Sequence, residues 1–145
     1  MKQVLAWILL AGLTCWLMFS PMYRHVAVMR HSLLQQEVDY LLEIGASGAY
    51  GYIDEQMIRE SKMRLAARGF DPDLLVYEVS STTGDNAGNP LAPLRRGTGI
   101  TLSIRYPYGG LFLIDRLIGS SGAWESRDMS AFGIKMSEYV PAPFP

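Results

Sequence analysis

Few side chains in this 145-residue chain are of the types that do chemistry, and their spacing decides what they could do. His25 and His31 are the only histidines, and six residues apart on a helix they do not share a face as two ligands of one metal would. They read as surface or interhelical residues. Cys15 is the single cysteine, which excludes an intrachain disulfide and a multi-cysteine metal site, and it reads as a buried apolar residue. There is no G-x-S-x-G elbow and no S-x-x-K set, so Ser61-Lys62 reads as solvated surface. Gly97 and Gly99 precede a strand pattern rather than a helix, which is the wrong context for a phosphate cradle. Asp85 and Asn86 lie in a polar loop that lacks the repeated acidic positions and closing Glu of a calcium loop. The expectation is therefore a protein without catalysis, cofactor or metal.

Two charged residues do stand out by position. Between residues 24 and 47 the apolar side of a helical pattern carries Val26, Met29, Leu33, Leu34, Tyr40, Leu41 and Ile44, while Arg24, His31, Gln35, Gln36, Asp39 and Glu43 take the other side. Arg30 and Glu37 project onto the apolar side, two turns apart, and a charge there needs water or a partner. One reading is that both reach the edge of the stripe and touch water. The other is that parallel copies stack with an axial offset near ~10 Å, seven residues at ~1.5 Å, pairing Arg30 of one copy with Glu37 of the next.

The element that would position this pair begins much earlier. Residues 3–23 form an uncharged run between Lys2 and Arg24, and residues 4–19 alone reach ~24 Å as a helix, close to the ~30 Å of a bilayer core. A removed signal peptide fits poorly, because no A-x-A follows the run, and Gly12, Leu13 and Thr14 before Cys15 do not make a lipoprotein site. A membrane anchor and a helix that leaves the membrane to pack among its own copies share every local feature. Lys2 before the span and Arg24 and Arg30 after it specify orientation weakly. The spacing predicts one helix to about residue 47, with a kink or short melted stretch around Pro21, where the ring removes a hydrogen bond.

The remainder suits one small α+β domain. The division expected is residues 1–48 for the membrane or filament-core helix and 49–145 for a head with one helix and a roughly three-stranded antiparallel sheet. Asp54 is an N-cap, Ile53 and Ile58 have staple spacing, and Leu65, Gly69 and Phe70 fit a Schellman cap, which places a helix over 55–68. Strands are expected over 74–80, with Leu75, Tyr77 and Val79 alternating, and over 99–106, with Ile100, Leu102 and Ile104 on one face. A third, over 129–139, would turn Phe132, Ile134 and Met136 inward. Residues 81–97 have the composition of a long exposed connection, and residues 106–118 are unusually apolar for a loop. The tail 141–145 alternates proline and must be extended. A net charge of −1 and the lack of a basic stripe argue against nucleic acid.

This layout, with Pro21 inside a long first helix, resembles the type IV pilins. Arg68-Gly69-Phe70-Asp71-Pro72, then residues Gly99-Ile100-Thr101-Leu102-Ser103-Ile104-Arg105-Tyr106-Pro107-Tyr108, and Met136-Ser137-Glu138 look similar to TadE-like pilins and pseudopilins. The resemblance implies a structural subunit of a pilus-like filament or fimbrium at the cell surface, inserted in the cytoplasmic membrane before assembly. Its partners would be itself, as a helical homopolymer, and a pilus assembly machinery; the resemblance also places the head outside. Val4, Trp7, Leu10, Ala11, Leu13, Leu17, Pro21, Val26, Leu33 and Leu41 would line the filament core, with Arg30 and Glu37 as an ion pair between subunits. The alternative is a monomeric membrane-anchored pseudopilin or accessory factor that binds a partner through residues 106–118. Type IV pilins carry Glu at the fifth mature position, and here that position is Leu5.

Overall fold

A computed structural model of the chain describes residues 1–107 and 128–142. It is an α+β protein with helix α1 (Lys2–Gly45), helix α2 (Glu55–Ala67), a 3-10 turn (Pro72–Leu74) and strands β1 (Val76–Ser81), β2 (Gly99–Pro107) and β3 (Asp128–Met136). The chain divides into two compact units, Met1–Ser32 and Leu33–Pro145. The division thus falls within α1 rather than at its end near residue 48, because the last turns of α1 belong to the hydrophobic core of the second unit. The first unit is a single stretch of helix. Its backbone stays helical through Pro21, so the expected melted stretch is absent.

In the second unit α1 buries Leu34, Glu37, Val38, Leu41, Leu42 and Gly45, the three- and four-residue spacing of one helix face, and Ala46 just after it is buried as well. Tyr40, expected on that face, is exposed. The sheet beneath has the order β1-β2-β3, antiparallel throughout. Ile100, Leu102 and Ile104 of central β2 are wholly buried, as their alternation required. Their register with Lys135, Gly133 and Ala131 fixes which side of β3 faces the helices, because paired residues share a face. That side is Met129, Ala131, Gly133 and Lys135, and the opposite side exposes Phe132, Ile134 and Met136.

The inward assignment of Phe132, Ile134 and Met136 is therefore reversed, and β3 ends at Met136 rather than 139. Gly133 is the reason. A Cβ there would lie 2.7 Å from Leu42 Cδ1 and 3.0 Å from Val38 Cγ1, so α1 crosses β3 where there is no side chain. Gln35 Nε2 donates to the Phe132 carbonyl at 3.2 Å, and Lys135 pairs with Glu43 beside this crossing.

Helix α2 follows its punctuation closely. Asp54 Oδ1 accepts from Met57 N at 2.8 Å, and Ile53 is buried with Ile58 packed against the core. At the other end Phe70 N donates to Leu65 O and Gly69 N to Ala66 O, a Schellman motif made possible by a φ of 88° at Gly69. Phe70 then meets Tyr106 edge to face, centroids 5.1 Å apart.

The stretch 81–97 differs from an exposed connection. Ala87 and Leu94 are buried, Ile53 N donates to Ala87 O, and Leu94 N donates to Gly51 O. Residues 137–139 close the same region: Ser137 Oγ donates to Leu94 O at 2.7 Å, and Glu138 N to Ala46 O at 2.7 Å. The expectations for residues 108–118 and for the last three residues of the tail lie outside the described residues.

Substituting Gly133 with Val should overpack the α1–β3 crossing and cost about 1–3 kcal/mol. Urea unfolding of the detergent-solubilised chain followed by near-ultraviolet circular dichroism measures it, with Gly84→Ala, where no atom lies within 4 Å, isolating the cost of a strained φ without a clash.

Candidate functional site

The side chains expected to line a filament core divide between the two units. Val4, Trp7, Leu10, Ala11, Leu13, Leu17, Pro21 and Val26 lie on the Met1–Ser32 stretch of α1, and each is exposed. By length and composition α1 is long and apolar enough to cross a membrane, and its apolar eighteen-residue window is 0% buried. Thr14 Oγ1 donates to the Leu10 carbonyl at 2.7 Å, which satisfies the hydroxyl within the helix itself. Cys15 is exposed rather than buried. His25 and His31 are exposed as well.

Leu41 behaves differently from the others. At 1% exposure it is part of the core of the second unit, so it has no surface left for another subunit. Leu33 is partly buried against the same core. The helical period placed both on the apolar side correctly, but periodicity does not say whether that side meets the chain's own sheet or another copy.

Glu37 is corrected too. It is 3% exposed and does not reach water at the edge of the stripe. Arg64 Nε and Nη2 donate to Glu37 Oε1 at 3.0 and 2.7 Å, so the required partner comes from α2 of the same chain rather than from Arg30 of a neighbour. The Arg64 guanidinium also lies over the Tyr40 ring, 4.7 Å from its centroid. The anomalous position of Glu37 was the signal in the sequence for a buried ion pair. Nothing in the 27-residue separation pointed to Arg64.

Ser61 belongs to the same polar seam and is wholly buried, not solvated surface. Its Oγ lies 2.8 Å from the Tyr77 hydroxyl across the α2–β1 contact. Burial pushes the Tyr77 hydroxyl up from 10.0 to about 12, with the Ser61 hydrogen bond opposing, the Glu37 charge adding and the Arg64 charge offsetting. No buried side-chain nitrogen or oxygen among the described residues lacks a partner. Nor does any group of three His, Cys, Asp or Glu among them form a metal site.

Replacing Arg64 with Met strands the Glu37 carboxylate, and the expected loss is about 2–4 kcal/mol by urea unfolding, with most of it recovered in the Glu37→Leu/Arg64→Met double variant. Tyr77 sets a pH dependence. An unfolded tyrosine loses its proton near 10.0 and the folded one near 12, so this contribution is complete below pH 10 and declines as pH rises towards 12. The urea midpoint should fall over that window less steeply in Tyr77→Phe than in the parent chain. Comparison with known protein families, characterised proteins and solved structures finds no match.

Proposed function

We propose that the chain is a pilin-like structural subunit that inserts in the cytoplasmic membrane through α1 and then polymerises through that helix into an extracellular filament. The observation that carries this reading is the reach of the exposed apolar surface. A bilayer core takes about 20 helical residues, which the uncharged run 3–23 already supplies. Beyond Arg24 and His25, Val26, Val28 and Met29 are still 44%, 66% and 53% exposed, and lipid around the first run does not cover them. A contiguous apolar surface of this kind is a site for protein contact, and a parallel copy of the same helix covers both parts at once.

In the apolar run the exchange is lipid for protein, so the gain comes from packing rather than from leaving water, which favours small residues such as Ala6, Ala11 and Gly12 at close contacts. Past Arg24 the contact is made in water and gains the full hydrophobic term, ~25 cal/mol per Å² of apolar area removed. The second reading is a membrane-anchored accessory factor. The length of the uncharged run favours it, since lipid alone covers those residues; its proposed partner surface at residues 106–118 lies mainly outside the described residues.

Electron microscopy of sheared cell-surface material is expected to show fibres containing this chain. Leu10→Arg should abolish them while the Leu33–Pro145 unit stays folded by circular dichroism. Val28→Glu separates the two readings, because it lies beyond the span: the variant should still fractionate with membranes yet give no fibres. Undiminished fibres from Val28→Glu, or a parent chain that stays wholly in membranes after shearing, would overturn the filament reading.

A further inference from the structure

A cleft of about 380 Å³ opens in the second unit between the last turns of α1, the residues that follow it and the first half of α2. That volume is within the range of small-ligand sites, ~300–1,000 Å³. Its lining combines Tyr40, Tyr50 and Tyr52 with Asp54, Glu60 and Arg64. One cation is already held there by aromatic and carboxylate groups together: Arg64 sits over the Tyr40 ring and donates to Glu37. With Arg64 so neutralised, Asp54 and Glu60 leave the lining negative.

Both carboxylates have an oxygen to spare. Asp54 Oδ1 caps α2 and Glu60 Oε1 accepts from Gln56 Nε2 at 3.2 Å, while the second oxygen of each has no partner among the described residues. Tyr50 and Tyr52 meet edge to face, centroids 5.8 Å apart and planes at 85°, and Tyr50 is exposed while Tyr52 is half-buried. An anion in this cleft would be repelled by the two acids, and a purely apolar group would strip them of water without replacing its hydrogen bonds.

We infer that this cleft is a binding site for a guanidinium or ammonium group, held against the Tyr50 and Tyr52 rings with Glu60 as its charge partner and Asp54 adding negative potential from the helix start. The inference does not depend on the filament reading. Two sources supply such a group: a small free amine, or an arginine or lysine side chain of a second copy.

The test is a titration of the full chain in detergent micelles with N-acetyl-arginine methylamide, followed by the backbone amide signals of Gln56 and Met57 and the ring signals of Tyr50 and Tyr52. The citrulline analogue, equal in shape but uncharged, is the control. The arginine probe should shift these signals saturably and the citrulline probe should not. Glu60→Gln and Tyr50→Leu should each weaken binding roughly fivefold, while unchanged Phe70 and Tyr106 ring signals report an intact fold. Signals that move with protein concentration and are reversed by the probe assign the cation to a second copy; signals independent of protein concentration assign a free amine. Equal shifts from the citrulline analogue, no shifts, or unchanged affinity in both variants would overturn the inference.

Discussion

A carboxylate sits in the middle of the stripe by which α1 joins the second unit, and the packing around it depends on that charge being answered. Glu37 lies between Leu34, Val38 and Leu41, all buried, so α1 settles on the sheet at full stability only when a cation answers the carboxylate there. Arg64 supplies it from the third turn of α2, which makes the docking of α2 conditional on the docking of α1. Ser61, one turn earlier on α2, extends the seam to Tyr77 of β1. Three elements are thus held in one register by directional contacts, while Leu65, Ile104 and Leu102 around them provide the non-directional burial. An ion pair here adds little net stability over apolar residues of the same shape; its consequence is that misplacing α2 leaves a bare charge in the core.

The opposite margin of the same helix is governed by an absence of side chain. Gly133 lets α1 come down onto β3, and the register of β2 against β3 then obliges Phe132, Ile134 and Met136 to face away. The sheet consequently has a covered face, where Tyr77, Val79, Ile100, Leu102, Ile104 and Met129 meet the helices, and an open face with an apolar row along β3. The polar segment between β1 and β2 closes the core from the side through Ala87 and Leu94, and its backbone bonds to Gly51 and Ile53 replace those a strand would have made.

Helix α1 therefore solves two different burial problems with one backbone. From residue 33 onward its apolar face is answered within the chain, by the sheet. Before that its apolar side chains point in every direction, and none of the most apolar eighteen-residue window is buried among the described residues. Val26, Val28 and Met29, beyond the uncharged run, are likewise exposed, and the proposed filament rests on them.

Local signals in the sequence determined the elements themselves. The cap, staple and Schellman residues of α2, the alternation in β2 and the uncharged run of α1 act over a few residues, so their physics is complete within a short window. What lies beyond that window was decided only by tertiary packing. Glu37 advertised a missing partner but not that it was Arg64; Leu41 advertised burial but not that its own sheet provided it; the size of Phe132, Ile134 and Met136 argued for the inside until the space above Gly133 was taken by α1. In each case the period of a helix or strand names a face, whereas only the three-dimensional arrangement says what that face meets.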